Sequence, residues 1–209
     1  MGGRGASAEA NRGLKAFLDE GVGEGKINSI NIENMRNMTM QQIEDKIKGL
    51  KHEEAYIFDE NGNLVAGFRG DKGSVGIDPK VFESKGYSLT HNHPKGASEF
   101  GGTLSFADVR NQLRGKLSQT RAVASGQGER HYILQATSKA NPKGFINRIG
   151  KDYYKLQSQM KEAYKQEYTR TNGNRHNARQ KMTGVLNAYW KKTAQKYGYN
   201  YVNRKKQIL

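Results

Sequence analysis

Asn61-Gly62 lies between Ala55-Tyr56-Ile57-Phe58-Asp59 and Leu64-Val65-Ala66-Gly67-Phe68, and this pattern restricts the fold more than any other in the chain. Apolar, β-branched and aromatic runs on both sides of Asn-Gly are the strongest short-range signal for an antiparallel hairpin, because glycine enters the left-handed region of a tight turn without strain. Arg121 to Ser125 and His131 to Ala136 flank Gly126-Gln127-Gly128 in the same way and predict a second hairpin. Between the hairpins, Tyr87-Ser88-Leu89-Thr90-His91-Asn92-His93 reads as a strand stopped by Pro94, which has no N–H for a ladder.

Helical signals fill the remainder. Thr39-Met40-Gln41-Gln42 has capping-box spacing, and Ile43, Ile47 and Leu50 recur at helical intervals, so a helix is expected over about 39–49, ended by Gly49. Asp78-Pro79 opens a short helix through Val81 and Phe82 to Gly86, and Ser105 begins one that carries Val109 and Leu113. Beyond Pro142 the apolar stripes Tyr153, Leu156, Met160, Tyr164 and Met182, Val185, Leu186, Tyr189, Trp190 predict two helices, separated at Thr171-Asn172-Gly173-Asn174. The order α-ββ-α-β-α-ββ-αα is that of an α/β domain with a basic two-helix tail. Residues 1–38 read as a flexible Gly-rich leader, 39–138 as the folded domain and 139–209 as a basic helical extension.

Charge sharpens that division. The net charge is +15, yet 139–209 alone holds 17 Lys/Arg against 3 acidic residues. A solvated helix face explains part of this. An excess of that size implies a polyanionic partner for the segment, either nucleic acid or an acidic protein, with Lys191, Lys192, Arg204, Lys205 and Lys206 as candidate contacts. Tyrosines interleave the charges and can stack on bases, although Tyr153 and Tyr164 fall on the apolar stripe and belong to the core. The start, Met1 to Ala6, lacks the apolar run of a signal peptide and no stretch approaches a membrane span, so a cytoplasmic setting is expected.

His91 and His93 carry the chemistry. Alternation along a strand points both imidazoles to one side, where with a nearby carboxylate they make three-quarters of a tetrahedral zinc site. The chain has no cysteine, so His, Asp and Glu are the only ligands on offer. An open fourth position suits a water whose pKa zinc lowers to about 7, and such a site needs a carboxylate to move protons. Glu53 and Glu54 enter the first core strand on opposite faces, so one of them can serve. Glu53 shares parity with Ala55 and Ile57 and is preferred, with Glu54 the alternative. Ser105 is either an N-cap, the commoner use of Ser-x-x-Asp, or a donor to an oxyanion, and the two roles are compatible.

A glutamate before a strand, then His91-Asn92-His93-Pro94, then Ser105-Phe106-Ala107-Asp108, resembles the motif of the JAMM metallopeptidases of the JAB/MPN family, which includes the RadC-like proteins. The similarity covers about residues 50 to 137. It implies a JAB/MPN-like (cytidine-deaminase-like) mixed sheet flanked by helices, with Zn2+ held by His91, His93 and Asp108. Glu53 (or Glu54) would act as general base and Ser105 at the oxyanion. The implied activity is cleavage of a peptide or isopeptide bond in a protein or peptide-conjugate substrate. The RadC-like branch implies an alternative, a nucleic-acid-associated accessory protein of phage or mobile-element type without peptidase activity, acting in a bacterial or phage-infected cell. A structural protein with a vestigial site is the third reading. The chain departs from the family at one place: eleven residues, Pro94 to Leu104, separate the second histidine from the serine, a longer spacer than usual. Adjacent His-Asn-His does not reproduce the dispersed residues of HNH nucleases, and zinc deaminases need a Pro-Cys-x-x-Cys pair that is absent.

Overall fold

The computed structural model describes residues 3–19, 26–82, 86–94, 102–125 and 129–205. In chain order the elements are α1 (Gly3–Asp19), α2 (Met40–Ile47), β1 (Glu54–Phe58), β2 (Leu64–Arg69), β3 (Ser88–His93), α3 (Phe106–Gly115), β4 (Gln119–Ala124), β5 (Arg130–Ala136), α4 (Pro142–Arg170), α5 (Arg175–Thr193) and β6 (Tyr199–Lys205). The helix expected after Pro79 is one 3-10 turn, Pro79–Phe82.

The strands form one mixed sheet in the order β2-β1-β3-β4-β5-β6. Every neighbouring pair is antiparallel except β3 and β4, whose parallel pairing requires the crossover that α3 supplies. The β1–β2 connection is a longer turn than a two-residue hairpin. Gly62 alone takes a left-handed φ (84°), while the Asp59 carboxylate accepts hydrogen bonds from the Asn61 and Asn63 backbone amides. The turn between β4 and β5 at Gly126-Gln127-Gly128 lies outside the described residues.

One face of the sheet is covered by α2. Thr39 closes the expected capping box with Gln42, and Ile43 and Ile47 pack on Tyr56, Phe58, Leu64 and Val123. The opposite face carries two apolar clusters. One joins Ala55, Ile57, Phe68 and Leu89 to Leu117. The larger joins Ala122, Ala124, Tyr132 and Leu134 to α1, α3, α4 and α5 through Phe17, Phe106, Phe145, Ile149, Leu186 and Trp190.

That larger cluster corrects two expectations. The leader is not a flexible arm throughout: Gly3–Asp19 is helical, and Phe17 is fully buried against Phe106 at a ring-centroid distance of 6.2 Å. Gly13 and Gly150 let α1 and α4 cross closely, since a Cβ on Gly13 would lie 2.2 Å from the Gly150 carbonyl oxygen. The basic segment is likewise not an appended pair of helices. Its stripes supply much of the main core, and it returns as β6, which pairs with β5 from Ala136↔Tyr199 to Arg130↔Lys205. None of the described helices is long and apolar enough to cross a membrane.

Candidate metal centre

β3 is buried along its whole length, and its register decides which side chains share a face. His91 pairs with Ala55 on β1 and Ala122 on β4, and His93 pairs with Ala124. Alanines beside both histidines leave room for imidazole rings on a sheet face that is otherwise packed. The rings sit between the two apolar clusters of that face, only 4 % and 7 % exposed. Asp108 reaches them from the first turn of α3.

The three donor sets converge. His91 Nε2 lies 2.9 Å from His93 Nε2 and 3.1 Å from Asp108 Oδ1, and His93 Nε2 lies 3.6 Å from Asp108 Oδ2. A tetrahedral zinc with bonds of 2.0–2.1 Å holds its donors about 3.3 Å apart, so these spacings fit a single small cation between them. His91, His93 and Asp108 can therefore hold a metal ion. Two facing ring nitrogens and a carboxylate also favour a proton in that space. Burial opposes charge on His91, but the Asp108 carboxylate outweighs it and raises the His91 pKa. Burial likewise opposes ionisation of Asp108, yet the two histidines hold its pKa well below the usual carboxylate range. Both Nδ1 atoms are buried without a hydrogen-bond partner among the described residues. The Arg121 backbone adds to the rise in the His91 pKa.

Ser105 is the N-cap of α3, and its role there is specific. Its backbone N–H and its hydroxyl both donate to Asp108 Oδ2, at 2.7 and 2.8 Å, while its Oγ accepts the Asp108 N–H at 3.1 Å. One carboxylate oxygen is thus tied to the helix cap, and Oδ1 is left facing His91. With its hydroxyl proton on Asp108, Ser105 has no second proton to offer an oxyanion.

Alternation assigns the two glutamates to opposite faces. The β1–β3 register ends at Ala55↔His91, and strand alternation carried two residues ahead of Ala55 puts Glu53 on the Ala55 side, the face that carries the donor cluster. Glu53 is half-buried, and its backbone is held by hydrogen bonds with Asp71 and Gly70. Glu54 stands on the other face. Its carboxylate accepts from Tyr56 at 2.8 Å and Arg69 at 3.0 Å and contacts His52 at 2.9 Å, so although burial opposes it, its pKa is lowered. That engagement on the far side of the sheet takes Glu54 out of reach of the donor cluster.

Asn92, between the histidines, was not anticipated as functional. Its Oδ1 accepts the Glu54 N–H at 2.7 Å and its Nδ2 donates to the His52 carbonyl at 2.9 Å. Glu53 lies between those two peptide groups, so Asn92 clamps the strand entrance on both sides of it. The available signal was a polar residue at the inward position of the opposite sheet face. The segment leading into α3 is anchored by the basic region, which sequence reasoning also missed. Trp190 Nε1 donates to the Leu104 carbonyl at 2.9 Å, and the Thr103 and Tyr201 hydroxyls lie 2.9 Å apart.

The candidate polyanion contacts are dispersed. Lys191 and Lys192 lie in the last turn of α5, whereas Arg204 and Lys205 lie at the far end of β6, about 17 and 20 Å along the strand from Tyr199 at 3.3 Å per residue. Lys206 lies outside the described residues, as do 95–101 of the spacer between His93 and Ser105. No protein-family model, curated protein or solved structure matches the chain.

Proposed function

We propose that the chain is a zinc-dependent hydrolase of the JAMM type, acting on a peptide or isopeptide bond of a protein or peptide-conjugate substrate. The observation that carries this reading is the convergence of His91, His93 and Asp108 within one ion's reach; alternation from Ala55 adds Glu53 on that side of the sheet. The mixed sheet and the order of its elements are compatible with a JAB/MPN-like fold. Zinc, when bound, supplies a Lewis acid and lowers the pKa of a water at its open position. Glu53 takes the proton from the attacking water and returns it to the leaving amine. His91, His93 and Asp108 would hold the ion, with Asp108 Oδ1 facing His91 at 3.1 Å. Ser105 acts first as a positioning residue for Asp108; the oxyanion role implied by the resemblance requires its hydroxyl proton to leave Oδ2.

Metal analysis of the purified protein tests the centre. One zinc per chain is expected, lost in His91→Ala and in Asp108→Ala, and a metal-free wild type under zinc-replete expression overturns the reading. The base is tested separately on a peptide or isopeptide substrate. Glu53→Gln keeps zinc and loses cleavage, while Glu54→Gln remains active; the reverse result overturns the assignment.

The charge of residues 139–209 favours a second reading, in which the chain is a nucleic-acid-associated accessory protein of RadC-like type in a bacterial or phage-infected cell. Retention on DNA or RNA that falls steeply with salt supports it, and salt-independent behaviour excludes it.

A further inference from the structure

α4 and α5 leave an open cleft between them, with a volume of about 740 Å³. That lies within the range of roughly 300–1,000 Å³ typical of small-molecule sites. Four cations line it: Arg148 and Lys155 from α4, Lys192 from the end of α5, and Lys196 from the turn that follows. Arg148 and Lys155 are seven residues apart, close to two helical turns, so they sit on one side of α4. Lys192 and Lys196 are four apart and line the facing wall.

Asp152 is the one acid in the lining, and it is already neutralised. Its Oδ2 accepts from Arg148 Nε at 2.7 Å and from the Tyr189 hydroxyl at 2.9 Å. Lys155, Lys192 and Lys196 are exposed and have no carboxylate within ion-pair distance among the described residues. The cleft therefore holds an excess of positive charge that nothing in the described structure compensates. Its remaining walls are apolar or aromatic, from Leu156, Val185, Ala188 and Tyr197. Cations at the rim with an apolar and aromatic floor match a ligand that is anionic at one end and flat and apolar at the other.

We propose that this cleft binds a phosphate-bearing small molecule with an aromatic group, the chemistry of a nucleotide. Lys155, Lys192 and Lys196 contact the phosphates, and the ring lies against Leu156, Val185 and Tyr197. Lysines serve phosphate well as point charges, and charge-assisted contacts there are stronger than neutral ones. The site uses α4, α5 and the turn after α5 alone, so it stands or falls independently of the metal centre.

The test is calorimetric titration of the full chain with ATP in the presence of EDTA, which keeps metal out of the reading. Wild type is expected to bind one ATP per chain and to bind inorganic tripolyphosphate more weakly. Lys155→Glu/Lys192→Glu should weaken ATP binding by roughly tenfold or more, as expected when charge-assisted hydrogen bonds give way to repulsion. Lys161→Glu/Lys181→Glu changes the net charge equally, on the same two helices but outside the cleft, and should leave affinity within about twofold if the site is local. The cleft variant should retain the zinc content of wild type. Absence of ATP binding overturns the proposal. So does an equal loss in the control variant, and so does a single-stranded oligonucleotide that binds where ATP does not, which would mark a diffuse polyanion surface instead.

Discussion

Ser105 and Asp108 exchange three hydrogen bonds across one turn, and this small device decides how the third candidate ligand is presented. A capping carboxylate normally turns back on its own helix. Here the turn back consumes Oδ2 and aims Oδ1 at His91, 3.1 Å away. Ser105→Ala removes the hydroxyl donor and the cap acceptor together. It is expected to cost about 1 kcal/mol of stability as a lost cap and to weaken zinc binding by roughly 10–100-fold as a lost outer partner. Chelator competition and chemical denaturation measure the two effects separately, and unchanged zinc affinity would show that Asp108 needs no such support. Asn92 works on the other wall of the site. Asn92→Ala leaves the Glu54 N–H and the His52 carbonyl without their partner in a buried place, a loss of about 2 kcal/mol or more. Zinc content should be preserved, because both histidines remain on β3. If Glu53 is the base, kcat should fall while KM holds, since the clamp around Glu53 has loosened.

At the scale of elements, the basic C-terminal region braces the candidate metal centre. Trp190 on α5 holds the Leu104 carbonyl, and Tyr201 on β6 holds Thr103 while also donating to Asn187 at 2.8 Å. Both contacts fall just before the Ser105 cap. Trp190→Phe keeps an aromatic ring in a fully buried position but orphans the Leu104 carbonyl, which should destabilise the fold by about 1–3 kcal/mol. Because α3 then starts from a looser point, zinc affinity should also drop, by up to about tenfold. A competition titration that shows unaltered zinc affinity in a folded variant would separate the brace from the site. The brace also shows why the sequence was legible in some places and opaque in others. Alternation along β3 and the runs around Asn61-Gly62 are local, so the histidine pair and the first hairpin could be read directly. β6 escaped because Asn200, Val202, Arg204 and Lys205 leave an exposed edge strand with little apolar signal. α1 escaped because glycines that read as flexible are required for its close crossing with α4. Asp108 arrives at the histidines only through the packing of α3, and the Asn92 clamp spans some 40 residues of sequence, so neither could be read from local pattern alone.

Across the whole molecule, the two sides of the sheet hold different kinds of polar chemistry. The helical side carries the donor cluster, and the side under α2 carries a buried charge network centred on Glu44. Glu44 is 1 % exposed and receives Arg121 in a bidentate pair, Thr90 at 3.0 Å and His131 at 3.2 Å. Burial alone would raise the Glu44 pKa, but the hydrogen bonds and charges of His131 and Arg121 outweigh it and lower it from 4.5 to about 2. Its stabilising contribution is therefore complete above pH 4.5 and lost as pH falls towards about 2. His131 behaves oppositely. The hydrogen bond to Glu44 raises its pKa against the opposing effect of burial, so its contribution is complete below 6.5 and lost as pH rises through the folded value. The network thus predicts a stability maximum on the acid side of neutrality. Glu44→Gln breaks the pair, leaving Arg121 without its carboxylate and His131 with Glu129 alone, at a cost of about 3 kcal/mol near neutral pH. Denaturant titrations of both proteins from pH 2 to 8 should show the difference between them shrinking as pH falls from 4.5 towards 2, because protonation removes from wild type what the substitution has already removed. A difference that stays constant across that range would mean that Glu44 stabilises α2 through packing and not through its charge.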